Sequence, residues 1–120
     1  MLKTFIILFT LFVSLSAFAC WKAEGTFAVD GETWKFNQKF DHNKDYSFPM
    51  GTFILNLKLV PLKNGMSTLV YSASEKKGTK LTLVTKGEEE EIKPGTEREI
   101  YAKGEEGQPN SIITIKLTNI

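Results

Sequence analysis

With 120 residues, the chain has room for one sizeable core, and its fifteen basic and fourteen acidic side chains give no basic excess of the kind a nucleic-acid binder needs against phosphate. A single cysteine rules out an internal disulfide, so stability has to come from packing. One histidine and one cysteine also fall short of the ligand set of a zinc site.

Lys3 precedes an uncharged run from Phe5 to Leu15, and Ala17-Phe18-Ala19 closes it. A basic start, a short apolar stretch and small residues at the −3 and −1 positions form the pattern of a cleaved secretory signal. The apolar run is shorter than the roughly 20 residues that span a bilayer. Residues 1–19 are therefore expected to be removed, and residues 20–120 to be exported as one domain with no transmembrane segment. Cys20 then becomes the first mature residue, where bacterial lipoproteins carry their diacylglyceryl cysteine. Ala19 suits that cleavage box, whereas Ala17 stands where Leu is usual and Phe18 where a small residue is usual. A lipid anchor on Cys20 and an unmodified terminal thiol both stay open. The absence of disulfides and of any Asn-x-Ser/Thr acceptor points to a bacterial exported protein.

Trp21 to Val29 reads as a first strand, with Phe27 and Val29 on one face. Asp30-Gly31 then signals a tight hairpin, because both central residues of a type I′ turn need positive φ. Thr33 to Phe40 returns with Trp34, Phe36 and Phe40 inward and Lys35, Asn37 and Lys39 outward. From Asp41 to Gly51 the periodicity is lost, and a loop of about ten residues crossing between sheets is expected there. Thr52 to Leu62 is the cleanest alternating run, with Phe53, Leu55, Leu57 and Leu59 on one face, and is predicted as a central strand ending near Pro61.

Lys63-Asn64-Gly65 turns into a strand over Thr68 to Ser74. Lys76-Lys77-Gly78 turns again into a strand carrying Leu81, Leu83 and Thr85. Gly87 and the run Glu88 to Glu91 read as a solvated acidic turn, with Ile92 in a short strand before Pro94-Gly95. Arg98 to Lys103 and Ser111 to Thr118 supply the last two strands, the latter burying Ile113, Ile115 and Leu117. No segment of the mature chain carries a helical period. The fold expected is all-β, an antiparallel β-sandwich or small barrel of seven to eight strands. Its charge is uneven: residues 20–87 hold ten basic and six acidic side chains, and residues 88–120 hold four and eight.

Catalytic groups are few. His42, Ser47 and Asp45 spell a hydrolytic triad only in the sense that any loop with these residue types does, so no enzyme is expected. Asp41, Asn43 and Asp45 repeat the opening of an EF-hand-like calcium loop, but Tyr46 stands where Gly is required and Thr52 where a bidentate Glu is. Asx-type turns explain the same residues, and no cofactor or metal is expected. Aromatic residues cluster early, and most share the inward parity of the first strands. Trp21 and Tyr46 are the better surface candidates for stacking on a sugar, although Trp21 also suits packing on the first sheet and Tyr46 a plug in the crossover. The function expected is a non-enzymatic protein-binding or structural module of the bacterial envelope, in the periplasm or outside the cell. Glycan or peptidoglycan binding and inhibition of a secreted hydrolase are the alternatives.

Overall fold

Asp30 and Gly31 both adopt positive φ, 50° and 77°, and fold the first strands into the tight hairpin their sequence predicts. The computed structural model describes residues 20–119, with Cys20 and Asn119 described as backbone only. The expected leader and the side chain of Cys20 lie outside the described residues.

Eight strands follow in order: β1 Cys20–Val29, β2 Glu32–Asp41, β3 Asp45–Met50, β4 Phe53–Pro61, β5 Ser67–Lys77, β6 Lys80–Ile92, β7 Glu97–Ala102 and β8 Ser111–Asn119. They form two four-stranded antiparallel sheets, ordered β2-β1-β8-β7 and β3-β4-β5-β6. The path is up-and-down. Each strand follows its predecessor into the neighbouring position or across a corner, and β8 pairs with β1 from Trp21↔Asn119 to Val29↔Ser111. No ladder joins β2 to β3 or β6 to β7 among the described residues, so the ring opens at two corners into a sandwich-like pair of sheets.

Side chains fill the space between the sheets. Phe27, Phe40, Leu55, Leu57, Leu59, Leu69, Ile113, Ile115 and Leu117 are fully buried, and they are the inward residues that strand alternation selects. The β2–β3 corner is packed with aromatic rings: Phe40 lies 4.3 Å from Tyr46 and 6.1 Å from Phe48, and Phe36 lies 5.4 Å from Phe48, between ring centroids. The β6–β7 corner is held by polar groups. The Glu105 amide donates to the Val84 carbonyl at 2.7 Å, Thr85 Oγ1 donates to the Lys103 carbonyl at 2.7 Å, and Arg98 pairs with Glu89 at 2.6 Å.

Two expectations are corrected, and one strand departs from simple alternation. The ten-residue loop at 41–51 is a three-residue turn followed by β3, whose inward residues Tyr46, Phe48 and Met50 alternate and whose Pro49 is tolerated because β3 is an edge strand. Glu88 to Glu91 does not form a turn but continues β6, with Gly87 lying beneath the Tyr71 ring and Glu89 turned towards Arg98. Leu81 and Leu83 point outward, 59% and 37% exposed, because the ladder slips by one residue between Ala73 and Ser74 and reverses the parity of β6.

Candidate functional site

The outer face of the β2-β1-β8-β7 sheet is mostly charged. Lys35, Thr26, Thr114 and Glu99 form one cross-strand row, and Asn37, Glu24, Lys116 and Glu97 form the next. At the end of the sheet near the β1–β2 turn the composition changes. There Thr33 pairs with Ala28, Ala28 with Ile112, and Ile112 with Tyr101, so one row runs across all four strands with an aliphatic floor and an aromatic ring at its edge. Tyr101 is 73% exposed, the most exposed large hydrophobic side chain among the described residues.

This row forms the base of a surface cleft of about 550 Å³, closed at one side by the Asp30-Gly31-Glu32 turn and at the other by Lys103 and Asn110 of the β7–β8 loop. The loop is held in place by the Gly104 amide, which donates to Asn110 Oδ1 at 2.8 Å, and by the Glu105 bond to Val84. Glu99, two residues before Tyr101 on the same face, accepts from its phenol, and that bond and charge push the phenol's pKa up. The ring is therefore neutral at physiological pH and offers an apolar face with its polar tip occupied. Two other clefts of about 450 Å³ lie on the outer faces, one among Asn56, Val70, Ser72, Lys86 and Glu88 with Leu57 and Tyr71 also in its lining, and one among Glu24, Lys35, Glu97 and Lys116. Neither has a large exposed aromatic ring beside it, since Tyr71 and Phe36 in their linings are buried.

The residues singled out from the sequence lie elsewhere. Trp21 is 8% exposed and belongs to the core, which corrects its reading as a surface candidate: its inward parity on β1 brings it under the β2–β3 turn. Tyr46 is half-buried against Phe40, and its hydroxyl accepts from the Asp41 amide at 2.8 Å, so it plugs the corner. Lys44 Nζ lies 5.8 Å from the centre of the Tyr46 ring. His42 sits in the β2–β3 turn 5.8 Å from the Trp21 ring, with Nε2 buried and without a hydrogen-bond partner among the described residues. Loss of hydration lowers its pKa below the usual 6.5, partly opposed by the Asp41 carboxylate.

Ser47 is on the outer face of β3, where its hydroxyl donates to Asn56 Oδ1, away from His42. Asn43, at φ 63°, donates its amide to the Leu59 carbonyl and fixes the turn that Asp41 and Asp45 flank. Among the described residues, no three His, Cys, Asp or Glu side chains converge on a point that would hold a metal ion. Tyr101 was not singled out from the sequence, although its signal was present: with Ile100 and Ala102 inward, Tyr101 has to face outward.

No protein family matches the chain, and no curated protein or solved structure matches it.

Proposed function

We infer that this chain is an exported, non-enzymatic binding module that takes up another polypeptide of the bacterial envelope or its surroundings through the Tyr101 cleft. The observation that carries this reading is the coincidence of an exposed tyrosine with the aliphatic floor of Ala28 and Ile112 in the largest of the three clefts described. A projecting ring beside a shallow apolar pocket is the composition of a protein-interface hot spot, where aromatic anchors carry most of the affinity. Sugar recognition favours several hydrogen-bonding side chains converging beside a stacking ring, and an aliphatic floor suits an apolar side chain better. The basic start, uncharged run and Ala17-Phe18-Ala19 support export, and a lipid on Cys20 would tether the module without changing the cleft.

The test is selection of a random-peptide phage library on the purified chain, followed by binding titrations with Tyr101→Ser. Selected peptides are expected to carry an apolar or aromatic residue and to bind the variant at least about tenfold more weakly, the effect of losing one interface anchor. Failure to select any Tyr101-dependent peptide, together with retention on insoluble polysaccharide that Tyr101→Ser abolishes, would transfer the cleft to the glycan reading.

A further inference from the structure

The strands run alternately between two ends of the molecule, and the connections at those ends differ in charge. β1 starts at one end, which also holds the β2–β3, β4–β5 and β6–β7 connections. These are residues 42–44, 62–66 and 93–96; each carries one exposed lysine, Lys44, Lys63 or Lys93, and none carries a carboxylate. The connections of the other end, residues 30–31, 51–52, 78–79 and 103–110, carry Asp30, Glu105 and Glu106 against Lys103. The Tyr101 cleft belongs to that second end.

The carboxylates nearest the lysine-bearing turns, Asp41, Asp45, Glu91 and Glu97, stand one step back within strands, where Asp45 is the cross-strand partner of Lys58 and Glu97 that of Lys116. Close to the same end Lys22 and Lys39, both exposed, stand directly opposite each other on β1 and β2. Such a like-charge pair costs stability on its own and gains from an external anion. The β4–β5 connection adds an apolar tip. Its pairing continues past Pro61↔Ser67, with the Leu62 amide donating to the Met66 carbonyl at 2.8 Å, and Leu62 is 37% exposed beside Lys63. The Asn43 amide donates to the Leu59 carbonyl at 2.7 Å, which makes the Lys44 turn a neighbour of this hairpin.

The direction of the chain identifies what this end meets. Cys20 opens β1 here, with only Ser16 to Ala19 between it and the uncharged run of Phe5 to Leu15. Held by its apolar leader during export or by an acyl group on Cys20 afterwards, the domain is attached at this end in both cases. One acyl chain alone binds a bilayer marginally, and a basic patch beside it is the second signal that makes such a tether stable. We propose that this end is a membrane-contact surface: Lys44, Lys63 and Lys93 pair with the phosphates of anionic phospholipid while Leu62 enters the interface, so that the Tyr101 cleft faces away from the bilayer.

Vesicle flotation tests it on the purified chain carrying Cys20→Ser, so that no acyl group contributes. Binding is expected to vesicles containing phosphatidylglycerol and not to pure phosphatidylcholine, and should fall as salt is raised. Each lysine near an anionic surface is worth about fivefold in affinity, so Lys44→Gln, Lys63→Gln and Lys93→Gln together should weaken binding by about a hundredfold. Leu62→Ser should weaken it by about fivefold, the loss of part of one buried leucine.

The β5–β6 hairpin at the other end provides a charge-matched control. Its lysines lie a nine-residue strand away, about 30 Å and beyond a Debye length. Lys76→Gln, Lys77→Gln and Lys80→Gln together should therefore change binding by less than about twofold at physiological salt. Tyr101→Ser should float as the parent does, and every variant is checked for an unchanged thermal melt. Failure to float with phosphatidylglycerol overturns the proposal, as does parental binding by the Lys44, Lys63 and Lys93 triple variant. So does loss of binding in the β5–β6 triple variant or in Tyr101→Ser, since the cleft end would then be the one that meets the bilayer.

Discussion

Gly25 on β1 has no room for a side chain against β8: a Cβ built there would lie 1.7 Å from the carbonyl oxygen of Thr114. That oxygen belongs to the backbone of a strand paired on both sides, which cannot move aside without disturbing two ladders. Gly25→Ala is expected to cost about 3 kcal/mol or to prevent folding. At Gly87 the nearest obstacle is the Tyr71 hydroxyl at 2.5 Å, the far end of a side chain that can swing, so Gly87→Ala should cost nearer 1 kcal/mol. Urea denaturation of the two variants checks the order. His42 supplies a pH dependence with a definite sign. Burial lowers its folded pKa below 6.5, so the unfolded chain takes up the proton first and stability rises with pH. Its contribution is complete above about 6.5 and is lost as pH falls from there through the folded value. His42→Gln should flatten that part of the curve, measured as the urea midpoint against pH.

The element that most shapes the surface is β6. Its two register shifts, opposite Ala73/Ser74 and Ser67/Leu69, divide thirteen residues into segments whose inward faces differ. The first shift turns Leu81 and Leu83 out to solvent, and the second places Glu91 at φ 58°, a left-handed conformation that a side chain makes unfavourable. Glu91→Gly removes that steric cost while keeping the carbonyl to which Arg98 donates at 3.3 Å, and should stabilise the fold by about 0.5–1 kcal/mol after glycine's greater loss of chain freedom. Thermal melts of this variant beside Glu90→Gly, a neighbour without a positive φ, measure the difference.

The same element shows where sequence patterning stops being informative. β1, β2, β4, β5 and β8 were legible because each keeps one parity and most stop at Gly, Pro or Asn. β6 was not, because a bulge changes parity without any residue type that announces it, and four successive glutamates resemble a solvated turn until Arg98 comes within reach from another strand. β3 was hidden by Pro49 and by the polar residues around it, although Tyr46, Phe48 and Met50 alternate. The candidate site was missed for a related reason. Its parts come from the β1–β2 turn, β7 and β8, and only the cross-strand register brings Ala28, Ile112 and Tyr101 into one row.

At the scale of the whole molecule, both described termini lie at one end, with Trp21 and Asn119 directly paired. A circular permutant that joins residue 120 to residue 20 through a few glycines and opens the exposed β4–β5 turn at Gly65 should therefore fold. Its far-UV spectrum should match the parent and its melting temperature fall by no more than about 10 °C, a shift of one or two kcal/mol for a domain of this size. Loss of cooperative unfolding in the permutant would show that the order in which the strands are joined matters as well as their final pairing.

That order has a kinetic meaning. The β3-β4-β5-β6 sheet is one uninterrupted piece of chain, built from hairpins that close short loops, whereas its partner is assembled from the two ends of the sequence, with β1 waiting for β8. Until the nine-residue β8 has been made, β1 lacks its neighbour on the side away from β2 and the second sheet stays incomplete. A chain exported as proposed, threaded through a translocation channel N-terminus first, thus carries its own brake on premature folding. The strand that completes the second sheet is the last of the eight to be made and the last of the eight to cross.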